Sequence, residues 1–536
     1  MSDLSQNPSI PPEKSPFADR AGAFWVWVVV LSLLALGVWQ VLSIPALRTV
    51  DPDEAINLIK ARTLGGDARL YGNLWSDQPP LLTMLAAGVY RVLGVGPDQG
   101  LTYGRLLSAC LAAMSVFVVA AVARRSCAEA GGTSIRVGFA TVVAAVLLVS
   151  SRSFVPLSTS FMVGLPAASL AAVSALLLAI ALSSTAKTRL FSTIFSGFCL
   201  AGGLLIKLNV FTLLLPSLLL LAFVGESRWT RLRNLALYVV GLAGGFAVIL
   251  LAASFVCDFG GLYEQLVRPH VQVAHDALSG DDDRFAWLRE NLHDVARLLD
   301  DNLRLLAVTV IGAAFVLATN RGERRTSFSS AAALVGVGWL IASSVALVFA
   351  SPVWYHHVTL LSFPAAIVAA AGVGVAAARA GRSGRLKWGH AVLAVLAVVM
   401  AGAATKKAFK VHRLPGDMKG DWSLDPTALQ LAKDKGGRGY ADYPLYVLAA
   451  GLEPVPELAV TTSKRRKRGM FSDEYILDLI DSDGVDAIVL SRWGKYSRSF
   501  HRTLKESFDL AYEDLDSDTT PSRRVRVYLR KPNNAK

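Results

Sequence analysis

Charged side chains are scarce in this chain. They make up 18% of its 536 residues, whereas a soluble protein has about 25%. Hydrophobic residues make up 53%, and several apolar stretches reach the roughly 18–20 residues that a helix needs to cross a bilayer. The shortage of charge therefore argues against an ordinary soluble enzyme. The surplus of apolar residues predicts helices that are solvated by lipid.

Cysteine is also rare, and its spacing fits neither a disulfide framework nor a metal site. The sequence has four cysteines, which we predict to be unpaired thiols: Cys110, Cys127, Cys199 and Cys257. The start of the chain lacks the pattern of a cleavable signal peptide. Residues 1–22 are polar and predicted to be a disordered cytoplasmic segment, and the apolar run at 23–46 is too long for a signal peptide and has no cleavage pattern. We expect that run to be a permanent first helix.

The apolar runs predict an α-helical polytopic membrane protein with about eleven transmembrane helices. The predicted spans are residues 23–46, 103–123, 135–151, 164–182, 189–206, 209–225, 234–257, 304–319, 329–349, 358–378 and 389–405. Lysine and arginine cluster in the loops after the second, fourth, sixth, eighth and tenth spans. If the helices alternate, these loops share one side of the membrane, and the positive-inside rule makes that side cytoplasmic. The formal charge of +13 then reflects topology, and we expect no nucleic-acid partner.

The opposite side holds the longest segments outside the predicted spans. Residues 23–405 form the predicted transmembrane domain, which includes a first extracytoplasmic loop at 47–102 and a second large loop at 258–303. Residues 406–536 form a predicted extracytoplasmic domain. Because long loops usually carry function, we expect any chemistry to face outward.

The tail predicts a small α/β domain. Asp425 and Pro426 can start one helix, and Ser472 can cap another over 473–482. Strand-like runs lie near 459–462, 486–490 and 525–530. The basic run from Lys464 to Arg468 has two open interpretations: a solvated loop or a patch attracted to anionic lipid headgroups.

Three acids open the first outer loop. Asp51 can be the N-cap of a helix, Pro52 fits its first turn, and Glu54 can close a capping box. Asp53 has no such role; it would lie on the first turn near the membrane surface, with Lys60 on the same helix face. A carboxylate there can accept a proton from a hydroxyl nucleophile. The alternative is that Asp53 only complements the helix dipole.

The same loop continues with Tyr71 and with the segment Asp77-Gln78-Pro79-Pro80. The proline pair predicts a sharp start for an apolar helix over 81–93. That helix is too short to span easily and is typical of an interfacial segment.

This loop resembles the opening of the GT-C membrane glycosyltransferases. The residues that carry the resemblance are Asp53-Glu54, Gly65-Gly66, Tyr71, Asp77-Gln78-Pro79-Pro80-Leu81, Gly94 and Arg105. More narrowly, the chain is similar to the family that contains bacterial protein O-mannosyltransferase-like enzymes and the aminoarabinose transferases of lipid A. The similarity continues at Gly202-Gly203-Leu204-Leu205-Ile206-Lys207, at Tyr355-His356-His357 with Phe363-Pro364, and in the soluble tail.

The resemblance implies an inverting transferase of the bacterial inner membrane that moves a sugar from a polyprenyl-phosphate donor to an extracytoplasmic acceptor. Asp53 would be the general base. Charge that develops on the leaving phosphate needs cationic or polar partners, and the candidates are Lys207, Arg105, His356, His357 and Gln78. Candidates for acceptor binding or support are Glu54, Asp77, Tyr71 and His270. The alternatives without a role in binding are that Lys207 snorkels to the membrane surface, that Arg105 anchors the second span, and that His356 and His357 are polar residues at the interface.

Other functions stay open from the sequence. A lipid or sugar transporter or flippase is the main alternative, although the sequence shows no convincing inverted repeat of the kind common in transporters; a non-catalytic assembly subunit is another. We predict no cofactor; no ligand spacing demands a metal, yet Asp53, Glu54, Asp77 and the histidines could converge on a divalent ion. The expected partners are a polyprenyl-phosphate-linked sugar, membrane lipid, and a protein, lipid or glycan acceptor.

Overall fold

The computed structural model describes most of the transmembrane domain and most of the tail. The described residues are 24, 27–28, 31–32, 51–96, 99–151, 154–224, 227–268, 284–319, 326–349, 353, 355–379, 424–462, 465–466, 469–492, 496–514 and 525–532. The predicted N-terminal segment 1–22, most of the first span 23–46 and the last span 389–405 lie outside the described residues. So do His270 and the lysines and final arginine of the basic run.

The first part of the chain is helical. The helices are α1 Pro52–Thr63, α2 Leu81–Val92, α3 Gly100–Glu129, α4 Ser134–Val149, α5 Phe154–Ser158, α6 Gly164–Ser183, α7 Ala186–Leu204, α8 Leu214–Phe223, α9 Arg228–Ala253, α10 Arg284–Asp301, α11 Leu303–Thr319, α12 Phe328–Val348 and α13 Thr359–Arg379. Short 3-10 helices, Leu208–Leu213 and Tyr355–Val358, precede α8 and α13. A π-helical turn, Tyr263–Val267, follows α9.

Several of these helices can cross a membrane. Within the described residues, five are long and apolar enough: Gly100–Glu129, Gly164–Ser183, Arg228–Ala253, Phe328–Val348 and His356–Arg379. A sixth span would result if Leu288–Asp300 and Leu303–Ala318, which are bent by 78°, cross together. These helices confirm the predicted polytopic helical class. The number of about eleven spans stays a prediction.

The helices pack closely because small residues lie where they meet. Helix α13 is almost wholly buried and packs on α3, α4, α11 and α12. Gly372 of α13 faces Gly312 of α11 so closely that a side chain on Gly372 would collide with the backbone of Gly312. Gly241 of α9 makes the same close approach to the carbonyl of Ile194 in α7. Such contacts between small residues are the usual means of helix association in lipid.

The first loop starts as the sequence predicts and then departs from it. Asp51 is the N-cap of α1, and its Oδ1 accepts a hydrogen bond of 2.8 Å from the backbone N–H of Asp53. The predicted capping box is wrong, because both carboxylate oxygens of Glu54 accept hydrogen bonds from Arg105 of α3 instead. Helix α2 forms at nearly the predicted bounds and ends with exposed apolar residues; its interfacial placement stays a prediction.

The tail is a five-stranded α/β domain. Its elements are α14 Pro426–Lys435, β1 Arg438–Ala441, α15 Leu445–Ala450, β2 Glu453–Pro454, α16 Asp473–Ser482, β3 Ala487–Leu490, α17 Arg498–Ser507, β4 Phe508–Glu513 and β5 Arg526–Arg530. The strand order is β2-β1-β3-β5-β4. Strand β1 is parallel to β2 and β3, while β5 is antiparallel to β3 and β4. The predicted α/β class is confirmed.

The predicted elements of the tail are mostly correct. The side chains of Asp425 and Ser472 cap α14 and α16 through the N–H groups of Ala428 and Tyr475. The strands predicted near 486–490 and 525–530 are β3 and β5. The strand predicted near 459–462 is wrong: this segment is irregular, and its apolar residues Ala459 and Val460 are buried in the core without joining the sheet.

The tail packs on the first loop. Helix α15 lies against α1. The guanidinium of Arg465 lies 5.8 Å from the ring centroid of Trp75 in the loop and 4.5 Å from that of Phe471 in the tail. Arg465 is 6% exposed, so for this residue both interpretations of the basic run, a solvated loop and a lipid contact, are wrong. One cation of that run joins the tail to the loop.

Candidate functional site

Asp53 lies on the first turn of α1, where charged groups from three parts of the chain meet. The residue is exposed to solvent, although protein surrounds much of its carboxyl group. This partial burial raises the pKa of Asp53, and the neighbouring carboxylate of Asp77 raises it further. Three nearby cations act in the opposite direction: Arg492, Lys207 and Lys60. Asp53 is therefore accessible, and its carboxylate is more basic than that of an ordinary aspartate.

The turn that carries Asp77 is held by a buried hydrogen-bond network. The hydroxyl of Tyr71 donates to the carbonyl oxygen of Gln78 at 2.7 Å, and the hydroxyl of Ser76 donates to the same oxygen at 3.0 Å. Lys60 of α1 is fully buried, and its Nζ lies 3.4 Å from Ser76 Oγ. This network fixes the loop after α1 and presents the half-buried side chain of Asp77 near Asp53, with Gln78, also half-buried, next in the same turn.

Tyr71 has a supporting position in this turn. Its φ of +66° is unusual for a residue other than glycine. The carbonyl oxygen of Tyr71 accepts a hydrogen bond of 2.8 Å from the side-chain amide of Gln265, and the amide oxygen of Gln265 accepts one from the N–H of Ser76. Burial raises the pKa of Tyr71, so its hydroxyl stays protonated. The strained backbone is thus held from the second large loop.

Lys207 comes from the bundle. It follows α7 in extended conformation, with φ −154° and ψ 126°, and starts the 3-10 helix Leu208–Leu213. Gly203 lets the end of α7 approach α6, where an added Cβ would lie 3.1 Å from the carbonyl oxygen of Ala167. The N–H of Leu81 donates to the carbonyl oxygen of Leu205 at 2.9 Å. This bond joins the start of α2 to the end of α7 and brings Lys207 toward Asp53.

His356 and His357 lie next to Lys207. Both rings are buried, and their centroids are 4.7 Å apart in an edge-to-face arrangement. Lys207 is close enough to interact electrostatically with both imidazoles and with Asp53. The structure therefore brings the predicted base and three of the predicted phosphate-binding residues into one neighbourhood. Whether they bind phosphate stays a prediction.

Arg105 and Glu54 form a buried ion pair below Asp53. Arg105 Nε donates to Glu54 Oε1 and Nη2 donates to Oε2, both at 2.8 Å. The N–H of Phe161 also donates to Glu54 Oε1 at 2.8 Å. These bonds join α1 to α3 and to the segment before α6. The geometry assigns both side chains to packing; the predicted phosphate contact by Arg105 and acceptor contact by Glu54 stay untested.

Sequence reasoning missed Arg492. It follows β3, and its backbone N–H is bound by the buried carboxylate of Asp442, which follows the parallel strand β1. The carboxyl ends of neighbouring parallel strands lie at one edge of a sheet, so the pairing of β1 and β3 could have pointed to this arginine. Correct strand assignment was the missing signal, because β1 was not predicted.

No metal centre emerges from the described residues. Among them, no group of three or more His, Cys, Asp or Glu side chains is placed to hold an ion. Asp53 and Asp77 instead lie among lysine and arginine side chains. His270, a predicted acceptor-side residue, lies outside the described residues.

The fold of this chain is similar to that of solved protein structures. No protein-family model and no curated protein matches this chain. The chain is similar to ArnT from Cupriavidus metallidurans bound to undecaprenyl phosphate, with a TM-score of 0.59 and 16% identity over 95% of this chain and 98% of that chain. For the apo state of that protein the TM-score is 0.57, with 16% identity over 96% and 100% of the two chains. The GT-C-like fold predicted from the resemblance is confirmed.

Proposed function

We propose that this protein is an inverting glycosyltransferase that moves a sugar from a polyprenyl-phosphate donor to an acceptor outside the cytoplasm, with Asp53 as the general base. The observation that carries the proposal is an accessible carboxylate of raised pKa set beside Lys207. The likeness to a protein whose crystal structure holds undecaprenyl phosphate supports the class of donor.

The charges around Asp53 fit a lipid monophosphate donor. Asp77 is a negative group that acts on Asp53, while Lys60, Lys207 and Arg492 are positive groups that act on it. A polyprenyl-phosphate sugar is a phosphodiester with one negative charge, which a nearby cation such as Lys207 can bind.

Charge is also conserved in the proposed reaction. The acceptor oxygen forms a bond to the anomeric carbon, and the bond from that carbon to the phosphate oxygen breaks with its electron pair on the leaving phosphate. The acceptor proton moves to Asp53, which becomes neutral. The released lipid phosphate gains a second negative charge, as a phosphate monoester carries up to two near pH 7. The cluster and the lipid therefore change charge by equal and opposite amounts.

The neighbouring residues have separable roles in this scheme. Lys207 is the phosphate-binding cation, because it is the cation of the bundle that also interacts with Asp53. His356 and His357 lie beside Lys207 and would donate to phosphate oxygens as neutral imidazoles. Asp77 keeps the pKa of Asp53 raised, which strengthens it as a base.

The site would face outward from the bacterial inner membrane. The positive-inside pattern of the loops supports an extracytoplasmic position for residues 47–102 and for the tail. The acceptor would then be a protein, lipid or glycan of the envelope that approaches from that side. A reporter fused after residue 536 would be extracytoplasmic; reporter activity in the cytoplasm would contradict this orientation.

The test uses a strain that lacks the protein and is complemented with wild type, Asp53→Asn or Asp67→Asn. Asp67 is a matched control because it is an exposed acid of the same loop. Mass spectrometry of envelope glycans, glycolipids and glycoproteins should show one modification that wild type and Asp67→Asn restore. We expect Asp53→Asn to be inserted at normal levels and to restore none of it. Full restoration by Asp53→Asn would refute the assignment of the base.

A second measurement separates the transferase from a flippase. A transferase needs no sealed compartment, whereas a flippase moves lipid between two leaflets. We expect the purified wild type to transfer sugar in detergent, with lipid-linked sugar extracted from the strain's membranes as donor and membranes of the deletion strain as acceptor. Activity that requires sealed vesicles would favour the flippase.

A further inference from the structure

Arg492 lies at an edge of the tail sheet that is built around one buried acid. Asp442 follows β1 and is fully buried. Its Oδ1 accepts hydrogen bonds from the N–H of Ser491 at 2.7 Å and from the N–H of Arg492 at 3.0 Å, and its Oδ2 accepts a second from Arg492 at 3.0 Å. Because β1 and β3 are parallel neighbours, this carboxylate fixes the segment where β3 ends.

The side chain of Arg492 leaves this fixed backbone toward the first loop. Its Nη1 lies 3.4 Å from the carbonyl oxygen of Thr461, and the residue is half-buried. Partial burial lowers its pKa, and Asp53 is the strongest of the negative groups that act against this change. The guanidinium of this tail residue is therefore near enough to the carboxylate on α1 to interact with it electrostatically.

The tail is held in this position by contacts away from Arg492. Arg465 stacks over Trp75 of the loop, and α15 packs on α1. Tyr443, which precedes α15, is close enough to Glu54 to interact electrostatically. The packing of α15 on α1 and of Arg465 over Trp75 thus fixes the tail on the first loop, so that loss of the Arg492 charge leaves these contacts in place.

We propose that the tail domain completes the active site, with Arg492 as a positioning residue that orients the Asp53 carboxylate. This inference rests on the proposed function. It makes the tail part of the transferase machinery and separates two cations: Lys207 binds the lipid phosphate, and Arg492 acts on the base. A chain without its tail would lack the second of these.

The expected effect of Arg492 on the base follows from the charges that face Asp53. Asp77 acts to raise the pKa of Asp53, and Lys60, Lys207 and Arg492 act to lower it. Loss of the Arg492 charge should raise this pKa further, so that the rate begins to fall at a higher pH. Loss of one nearby positive charge from beside the base should lower kcat/KM by roughly tenfold or more.

The experiment compares full-length wild type with Arg492→Gln, Arg492→Lys and the control Arg502→Gln in detergent. Arg502 is an exposed arginine of α17 in the same domain. Transfer is measured against pH with donor lipid extracted from the strain's membranes. We expect Arg492→Gln to lose at least about tenfold in kcat/KM at neutral pH. The acid limb of its pH profile, where the rate falls with decreasing pH, should shift to higher pH. Arg492→Lys should keep the limb near that of wild type, and Arg502→Gln should change neither.

A binding measurement tests the division of roles. Stabilisation by undecaprenyl phosphate is followed as the thermal midpoint of each protein at increasing lipid concentration. We expect the Kd of Arg492→Gln for undecaprenyl phosphate to lie within about threefold of the wild-type value. The Kd of Lys207→Met should be at least about tenfold higher than that of wild type, as for loss of one charged hydrogen bond. Weakened lipid binding by Arg492→Gln without a shifted acid limb would overturn the positioning role and make Arg492 a phosphate ligand.

The remaining outcomes are also decisive. Unchanged transfer and pH profile for Arg492→Gln would overturn the inference while leaving the proposed function intact. If Arg492→Gln does not fold but Arg502→Gln does, Arg492 is a structural residue and the inference is wrong. If wild type transfers no sugar at any pH, the proposed function fails, and the inference fails with it.

Discussion

The ion pair between Glu54 and Arg105 gives a prediction that separates packing from catalysis. Both side chains are almost fully buried, at 1% and 4% exposed, and the Glu54 carboxylate accepts hydrogen bonds from Arg105 and from the N–H of Phe161. Removing one partner of a buried pair costs about 3–5 kcal/mol, because the other charge is left buried and uncompensated. In Glu54→Gln, the new amide group would also turn a donor toward the Arg105 guanidinium.

We therefore expect Glu54→Gln and Arg105→Met each to lower the free energy of unfolding by about 3–5 kcal/mol. The double variant should lose clearly less than the sum of the two, because neither charge is left alone. The assay is reversible unfolding in mixed detergent micelles, with the four proteins of the cycle measured together. At a temperature where all are folded, their binding of undecaprenyl phosphate should be equal.

Two results would refute this reasoning. Additive losses would mean that the two side chains do not depend on each other. An Arg105→Met variant with unchanged unfolding free energy and at least about tenfold weaker lipid binding, the loss expected for one charged hydrogen bond, would make Arg105 a phosphate ligand, as the sequence predicts. Arg105→Lys is the matched variant: it keeps the charge but not the two parallel bonds, so it should restore little of the stability.

Two further predictions concern Asp53 and the contact between tail and loop. The pKa of Asp53 lies above the ordinary 3.8, so kcat/KM should fall with decreasing pH through a midpoint above that value; a midpoint at or below 3.8 would exclude Asp53 as the base. Because the pKa is raised, the folded state binds the carboxyl proton of Asp53 more tightly than the unfolded state does. Ionisation of Asp53 therefore lowers the free energy of unfolding as the pH rises. Asp53→Asn should have a thermal midpoint at neutral pH no lower than that of wild type. Arg465→Met removes hydrogen bonds of 2.9 and 2.8 Å to the carbonyls of Glu457 and Val460. It should lower the free energy of unfolding by about 1–3 kcal/mol and lead to earlier proteolytic cleavage of the tail. Substitution of an exposed arginine, Arg498→Met, should change neither.

Much of the helical architecture could be predicted from the sequence because the solvent imposes a simple rule. A backbone in lipid must satisfy its own hydrogen bonds, so a long apolar run such as 164–182 becomes a helix wherever it lies in the fold, and Gly164–Ser183 follows it within a residue. The start of α1 was predictable for a similar reason, since the N-cap bond from Asp53 to Asp51 spans two residues. Because Asp51 was assigned to this cap, Asp53 remained as the candidate base.

The tail was less predictable because its strands are short. Strand β1 has four residues and β2 has two, which is too few for alternation to distinguish a strand from an irregular segment. The segment 459–462 shows the reverse error: its composition is typical of a strand, but it is irregular and buries three consecutive residues, Ala459, Val460 and Thr461. Without β1, the sequence could not place Asp442 and Arg492 at one edge of the sheet.

The sequence by itself determined the apolar helices, the caps of α1, α14 and α16, and the absence of a capping role for Asp53, because each depends on residues a few positions apart. Only the tertiary structure decided that Glu54 pairs with an arginine 51 residues away, that Arg465 is buried against Trp75, and that Lys207 and Arg492 converge on Asp53. Charged side chains have the same local pattern whether they face solvent, a partner or a ligand. Their role is fixed by the distant groups that the fold brings beside them, and by how much water it removes.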